Sequence, residues 1–157
     1  MRNDDRTPAQ WYSLVAGAVL LLIGILGFFV EANFDFGSDV EGESLLGFEI
    51  NGPHNIVHLA SGALGLLAFR RRDTAKTFAL AFGAVYLVVA IIGVIQGDNV
   101  LGIIPVNGAD HVLHFALALA GLGAGYVSRG DDATNDTTIG GRSTGTSSVG
   151  ARGGDRV

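Results

Sequence analysis

Hydrophobic residues along the chain fall into four long runs that are separated by polar segments. The runs cover about residues 11–30, 53–69, 77–96 and 110–127. The first has no charged residue over 20 positions. A helix of that length, at about 1.5 Å per residue, crosses a hydrocarbon core of roughly 30 Å. The third run is equally free of charge. Because four such runs leave little polar surface in 157 residues, the pattern predicts an all-α fold, a bundle of four transmembrane helices.

The segments outside these runs set the predicted domain organisation. Residues 1–10 are expected to form a cytoplasmic N-terminal segment, and residues 11–127 the transmembrane domain. Residues 128–157 consist largely of Gly, Ser, Thr, Asp and Arg, a composition that cannot bury enough apolar surface to fold, so a disordered cytoplasmic tail is predicted there. A cleaved signal peptide is the other interpretation of the first run. The length of the run and the lack of a small-residue cleavage site at residues 30–33 argue against it.

The basic residues predict the orientation in the membrane. All ten Lys and Arg lie in the N-terminal segment, in the linker at residues 70–76 or in the C-terminal tail. The positive-inside rule then places both termini and this linker in the cytoplasm of a plasma-membrane protein. The predicted outer loops, residues 31–52 and 97–109, contain no base. Acidic residues lie in these loops or at the outer helix ends: Glu31, Asp35, Asp39, Glu41, Glu43, Glu49, Asp98 and Asp110.

Composition and motifs exclude several classes of function. The chain has no Cys, and therefore no disulfide, thiolate metal site or cysteine nucleophile. A net charge of −5 without a long basic block argues against nucleic-acid binding. The sequence contains no Gly-rich phosphate loop after a strand and no nucleophile elbow. These observations favour a non-enzymatic structural or partner-binding protein that lies in the lipid bilayer and associates with itself or with a membrane protein partner.

The sequence repeats internally. Residues 17–27 align with residues 83–93, and residues 51–58 align with residues 107–114. A repeat of two spans keeps its direction in the membrane, so the halves are expected to be two helix pairs related by a pseudo-two-fold axis along the membrane normal. Small residues at helical spacing predict close helix packing. The candidate packing residues are Gly17, Gly24, Gly65, Gly83, Gly121 and Gly125.

The second repeated element carries the candidate chemistry. Asn51 and Asn107 are predicted to cap the helices that follow them, because Asn is among the best N-cap residues. His58 and His114 lie about two turns into those helices, where an unpaired polar group is expensive in lipid. Helical spacing places them on the same faces as His54 and Asp110. We therefore expect a polar cluster of His54, His58, Asp110 and His114 inside the bundle, near its outer end.

Three interpretations of this cluster remain open from sequence. In the first, each His hydrogen-bonds across the bundle and fixes helix register, and no cofactor is bound. In the second, the four residues hold a divalent metal, or His58 and His114 ligate a haem, as in a membrane redox protein. In the third, the polar stripe lines a small wet cavity of a transporter or proton pathway.

The repeated element also carries a family resemblance. Asn-Gly-Pro-His-Asn-Ile-Val-His-Leu at 51–59 and Asn-Gly-Ala-Asp-His-Val-Leu-His-Phe at 107–115 resemble a prokaryotic family of small four-helix membrane proteins, catalogued as domain of unknown function 4383. The resemblance covers about residues 10–127. It implies the four-helix topology and no particular activity. His111 departs from the family pattern, which favours Asn there as at Asn55.

Overall fold

The computed structural model describes residues 6–128, which form four helices and two short β-hairpins. The helices are α1 (Pro8–Gly27), α2 (Gly52–Ala68), α3 (Arg72–Gln96) and α4 (Gly108–Val127), and the strands are β1 (Glu43–Leu45), β2 (Phe48–Ile50), β3 (Asn99–Val100) and β4 (Ile104–Pro105). The four predicted helices are confirmed, whereas the hairpins were not predicted. The predicted disordered tail lies outside the described residues, apart from Ser128.

All four helices begin earlier than the hydrophobic pattern predicts, α2 and α4 by one or two residues and α1 and α3 by three or more. α1 spans residues 8–27 instead of 11–30, because Thr7 and Gln10 form a reciprocal capping box and Pro8 opens the first turn. α3 begins at Arg72 instead of residue 77, so much of the predicted linker at residues 70–76 is helical. Polar first turns carry no hydrophobic signal. The capping box could have revealed the start of α1, whereas the N-cap residue of α3, Arg71, makes no side-chain capping hydrogen bond.

The two hairpins correct the all-α expectation to a mostly helical fold. β1 pairs antiparallel with β2, and β3 pairs antiparallel with β4. Each turn contains a Leu-Gly pair in the left-handed region, with φ values of 56° and 92° at Leu46 and Gly47, and 57° and 65° at Leu101 and Gly102. A non-glycine residue rarely adopts such angles. Both hairpins directly precede a helix that carries site residues, α2 or α4.

Glycines allow the helices to approach closely within each sequential pair. A Cβ atom at Gly17 of α1 would lie 2.9 Å from the Leu66 nitrogen and 3.0 Å from the Gly62 oxygen, both backbone atoms of α2. A Cβ atom at Gly83 of α3 would lie 2.8 Å from the Leu122 nitrogen of α4. The backbones of α1 and α2, and of α3 and α4, are therefore in direct contact.

The two pairs pack together through an aromatic core. The rings of Phe78, Phe82 and Tyr86 on α3 stack in sequence, with centroid separations of 5.1 and 4.0 Å. Tyr12 of α1 approaches Phe82 at 6.3 Å, and its hydroxyl donates to the Leu117 carbonyl of α4 at 2.7 Å. This core leads along the bundle to the histidines at the hairpin end.

The opposite end of the bundle brings the start of α1 next to the α2–α3 connection. The Gln10 side chain donates to the Phe69 carbonyl at 3.0 Å. The guanidinium of Arg6 lies 5.1 Å from the Trp11 ring centroid and 5.6 Å from that of Phe69. Basic residues of both segments therefore occupy one end of the molecule, and the hairpins occupy the other.

By length and composition, α1 and α3 can each cross a membrane. They contain 20 and 25 residues, or about 30 and 38 Å of helix.

Candidate functional site

The four polar residues of the repeated element converge where α2 and α4 begin. His54, His58, Asp110 and His114 are 2%, 7%, 2% and 3% exposed, respectively. Polar groups that are buried to this degree are costly unless they are hydrogen-bonded or ligated. The interactions of each side chain therefore indicate what the cluster is built to do.

Two asparagines hold the helix starts against the hairpins. Asn51 Oδ1 accepts a hydrogen bond from the His54 backbone N–H at 2.9 Å, and its Nδ2 donates to the Ile103 carbonyl of the second hairpin at 2.8 Å. Asn107 Oδ1 accepts from the Asp110 backbone N–H, and its Nδ2 donates to the Gly47 carbonyl of the first hairpin at 2.9 Å. Each predicted cap thus also joins its helix to the hairpin of the other half.

The peptide groups of Glu49 in β2 orient two of the cluster residues. The Glu49 carbonyl lies 2.8 Å from His54 Nδ1, and the Glu49 N–H donates to Asp110 Oδ2 at 3.0 Å. The Asn107 N–H donates to the same carboxylate oxygen at 3.0 Å. Because a carbonyl only accepts, His54 Nδ1 carries the proton and Nε2 keeps its lone pair. The hairpin therefore presets one imidazole and one carboxylate.

The imidazole rings pack against each other and against the aromatic core. The His54 ring centroid lies 4.3 Å from that of His58 and 6.1 Å from that of His114. His114 meets the Tyr86 ring edge-to-face at 5.3 Å, and the Tyr86 hydroxyl is hydrogen-bonded to the Ser61 side chain. The cluster is therefore anchored on α2, α3 and α4 together.

Three of the four residues are grouped like the ligands of a metal ion. One potential ligand atom each from His54, Asp110 and His114 lies within 4.8 Å of the other two. Ligand atoms about 2.0–2.1 Å from a tetrahedral ion stand about 3.3 Å apart, so a bound ion needs a contraction of at most about 1.5 Å. Of these three residues, His114 has a buried Nδ1 without a hydrogen-bond partner among residues 6–128; the same holds for the Nδ1 atoms of His58 and His111 and for Asn55 Oδ1. An unpartnered imidazole nitrogen of His114 beside a preset imidazole and carboxylate is compatible with a ligand set.

His111 and Asn55 stand apart from this cluster. His111 Nε2 lies 3.1 Å from the Gly97 carbonyl, and its ring covers Gly93. Asn55 occupies the aligned position in the first half, where its Nδ2 donates to the Glu31 carbonyl at 2.7 Å and its side chain covers Gly27. Both residues tie the start of their helix to the end of the preceding one, in spite of their different side chains.

The cluster is reached from two grooves between the helix pairs. The larger groove, between α1 and α4, has a volume of about 590 Å³, and Asp110, His58 and His114 are among its lining residues. The smaller groove, between α2 and α3, has a volume of about 300 Å³, and His54 and His114 are among its lining residues. Most other lining residues of both grooves are apolar.

The electrostatics of the hairpin end are acidic. Partial burial raises the pKa of Glu49 above its ordinary value, and the nearby carboxylates of Asp110 and Asp98 raise it further. Bases are absent from residues 31–52 and 97–109. This end of the molecule therefore suits cations and neutral groups better than anions.

Comparison with protein-family models identifies the family of the chain. A family model described as domain of unknown function (DUF4383) matches residues 10–127. The chain belongs to the DUF4383 family. The match includes both hairpins and all four cluster residues of this DUF4383 protein. No curated protein and no solved structure matches the chain.

Parts of this site were not predicted from the sequence of the DUF4383 member. The peptide of Glu49 and the Tyr86 side chain belong to segments that carry no polar motif. Ser61 lies on the helix face of His54 and His58, as helical spacing predicts, and only its hydrogen bond to Tyr86 was not predicted. For Glu49, a backbone group makes the contact, so no side-chain pattern could have indicated it.

Proposed function

We propose that this DUF4383 member is a multi-pass plasma-membrane protein in which all four helices span the bilayer. The apolar character of the outward-facing helix surfaces supports this proposal. Each helix exposes large apolar side chains, among them Val19, Leu64, Val88 and Leu119. Within the helices, charged residues are restricted to the first five residues of α3 and the first turn of α4. An uncharged apolar surface on all four helices suits lipid and membrane protein partners, including a second copy of the chain.

A pseudo-two-fold axis along the membrane normal is part of the proposal. Its support is a set of corresponding contacts. Asn51 reaches the carbonyl four residues before Asn107, and Asn107 reaches the carbonyl four residues before Asn51. Tyr12 of α1 lies against Gly121 of α4, and the aligned Phe78 of α3 lies against Gly65 of α2. Exchanging the halves therefore reproduces these contacts.

The proposed orientation has both termini in the cytoplasm and the hairpins outside. It is supported by Arg6, the basic residues at 70–72 and Lys76, which lie at or near the end opposite the acidic hairpins. Reporter fusions test it directly. A fusion after Lys76 should report cytoplasm and one at Asp39 should report the outside, and the reverse pattern would overturn the orientation.

We further propose that the bundle binds one divalent transition-metal ion through His54, Asp110 and His114. The grouping of one ligand atom from each residue within 4.8 Å carries this proposal. Imidazole nitrogen with a carboxylate oxygen is a donor set that zinc and related ions accept. The Glu49 peptide supplies the outer hydrogen bonds that commonly fix such ligands. An ion there would join α2 to α4, which agrees with a structural, non-enzymatic role.

The geometry favours this ion over the other two interpretations. A haem would need His58 and His114 as its axial pair, but His54 packs against both rings. A wet transport path would need polar walls, and the described grooves are mostly apolar. We therefore expect no flux across liposomes that contain the purified protein. A flux above that of empty liposomes would support the transport interpretation instead.

Metal binding is tested with purified, metal-stripped protein. Titration with Co²⁺ should give the strong visible absorption of a tetrahedral site with a stoichiometry of one, and Zn²⁺ should displace it. Replacing His54 or His114 by Ala, or Asp110 by Asn, should weaken binding by more than about a hundredfold, more than losing an outer-shell partner costs.

The matched control is His111→Asn, which removes a histidine of the same helix and installs the residue at the aligned position, Asn55. This variant should bind Co²⁺ like the parent chain. If His111→Asn and His114→Ala weaken binding equally, or if the parent chain shows no stoichiometric binding, the proposed site is wrong and the cluster serves only helix register.

A further inference from the structure

The groove between α1 and α4 combines an apolar wall with a polar end. We propose that this groove binds an uncharged isoprenoid quinone from the bilayer, with a ring carbonyl at His58 and the tail between α1 and α4. The proposal goes beyond the metal site and does not require a bound ion.

The size and position of the groove suit a ligand that is dissolved in lipid. Its volume of about 590 Å³ lies within the range of about 300–1,000 Å³ of small-molecule sites. Val15 and Val19 line it and are also exposed on the outward surface of α1. A bilayer-soluble molecule can therefore enter from the side without crossing water.

The polar end of the groove calls for a hydrogen-bonding head. His58 lines the groove and is 7% exposed, whereas its Nδ1 is itself fully buried and has no hydrogen-bond partner in the described part of the chain. A carbonyl oxygen in the groove can therefore reach this nitrogen only if the imidazole turns about its Cβ–Cγ bond. Leaving such a nitrogen unsatisfied is costly, and an imidazole N–H that donates to a carbonyl oxygen removes that cost. A quinone supplies a carbonyl oxygen and otherwise presents only apolar surface.

Charge and shape favour a neutral, flat head over a phospholipid headgroup. The hairpin end carries acids without bases, so a phosphate there would be repelled. Leu45, Phe48 and Ile50 of the first hairpin also line the groove. They place apolar side chains around its polar end, where a charged head would lose its hydration.

The second groove is too narrow at the corresponding level, so the quinone is assigned to the first groove alone. Phe82 and Leu64 line the groove between α2 and α3 at the positions that align with Ala16 and Ala120. These larger side chains agree with its smaller volume of about 300 Å³. Replacing Ala120 by a larger side chain should therefore close the first groove.

The test is a binding titration monitored by one tryptophan. Trp11 is the single Trp of the chain and lines the groove. A Trp11→Phe, Phe48→Trp background moves the fluorophore within the groove wall to the first hairpin. A benzoquinone with a decyl tail should quench it saturably in micelles. His58→Phe, which keeps a ring but loses the donor, should weaken binding about tenfold, as the loss of one buried hydrogen bond predicts. Ala120→Phe should abolish saturable quenching.

Leu119→Phe is the matched control, because Leu119 is exposed on the same helix and does not line the groove. It should bind the quinone like the parent background. Equal quenching in Ala120→Phe and Leu119→Phe would mean that the quinone only partitions into the micelle. Displacement by phosphatidylglycerol as efficient as by unlabelled quinone would show a lipid site instead. Either result overturns the proposal, and Ala120→Phe decides the outcome if His58→Phe does not fold. Cobalt binding by Ala120→Phe should be unchanged, which separates this test from that of the metal site.

Discussion

Replacing Gly62 by Ala tests how closely the first helix pair is packed. A Cβ atom at this position of α2 would lie 2.7 Å from Leu21 Cα and 2.8 Å from the Gly17 oxygen of α1. Both are backbone atoms, which cannot rotate out of the way. Because ordinary contacts between carbon atoms are about 3.5–4.0 Å, α1 and α2 must separate by close to 1 Å at this level.

The magnitude follows from two opposing terms. Overpacking of this kind costs about 1–3 kcal/mol. The better helix propensity of Ala offsets up to about 1 kcal/mol of that cost. Gly62→Ala should therefore lower the free energy of unfolding by about 0–2 kcal/mol relative to the parent chain, and by about 1–3 kcal/mol relative to a Gly→Ala substitution that meets no neighbour. Alanine itself is acceptable at the aligned position of the second pair, where Ala118 is fully buried, so the cost belongs to the geometry of the first pair.

The assay is unfolding of the full chain in mixed micelles by increasing SDS, monitored by the fluorescence of Trp11. The matched control is Gly123→Ala, because a Cβ atom at Gly123 meets nothing within 4 Å. The control should equal or slightly exceed the stability of the parent chain. If Gly62→Ala is as stable as Gly123→Ala, then α1 and α2 do not approach as described, and the packing argument fails.

Three further substitutions have defined outcomes. Tyr12→Phe removes the hydroxyl bond to the Leu117 carbonyl and should cost about 0.5–1.5 kcal/mol in the same assay, whereas Tyr126→Phe, at a tyrosine that is 85% exposed, should cost nothing. Asn51→Ala removes the N-cap of α2 and its hydrogen bond to the Ile103 carbonyl of the second hairpin and should cost about 1–2 kcal/mol; a neutral effect would argue against both contacts. The raised pKa of Glu49 means that the folded state favours the protonated carboxyl. Protonation of Glu49 therefore stabilises the folded state at low pH, and this stabilisation is lost as pH rises through the raised pKa. Glu49→Gln should therefore flatten the decline in stability above about pH 4.5, and an unchanged pH profile would contradict the burial of that carboxyl.

Local patterns in the sequence were sufficient to predict the four helices and the caps of α2 and α4. The apolar runs predicted four helices, and the predicted caps Asn51 and Asn107 do begin α2 and α4. The capping box at Thr7 and the polar first turn of α3 were missed, because the starts of these two helices were predicted from hydrophobicity alone. The hairpins were missed because their Leu-Gly turns place leucine at positive φ, which its propensity does not favour.

The sequence by itself determined the residues of the candidate site and the helix faces on which they lie. Helical spacing places His54 with His58, and Asp110 with His114, since that relation depends only on the geometry of one helix. Only the tertiary structure decided that His54 groups with Asp110 and His114, that the Glu49 peptide orients two of them, and that the larger groove ends at His58. These relations join different helices, whose rotation and separation are set by backbone contacts at glycines and by hairpin hydrogen bonds distant in sequence, and no local pattern encodes them.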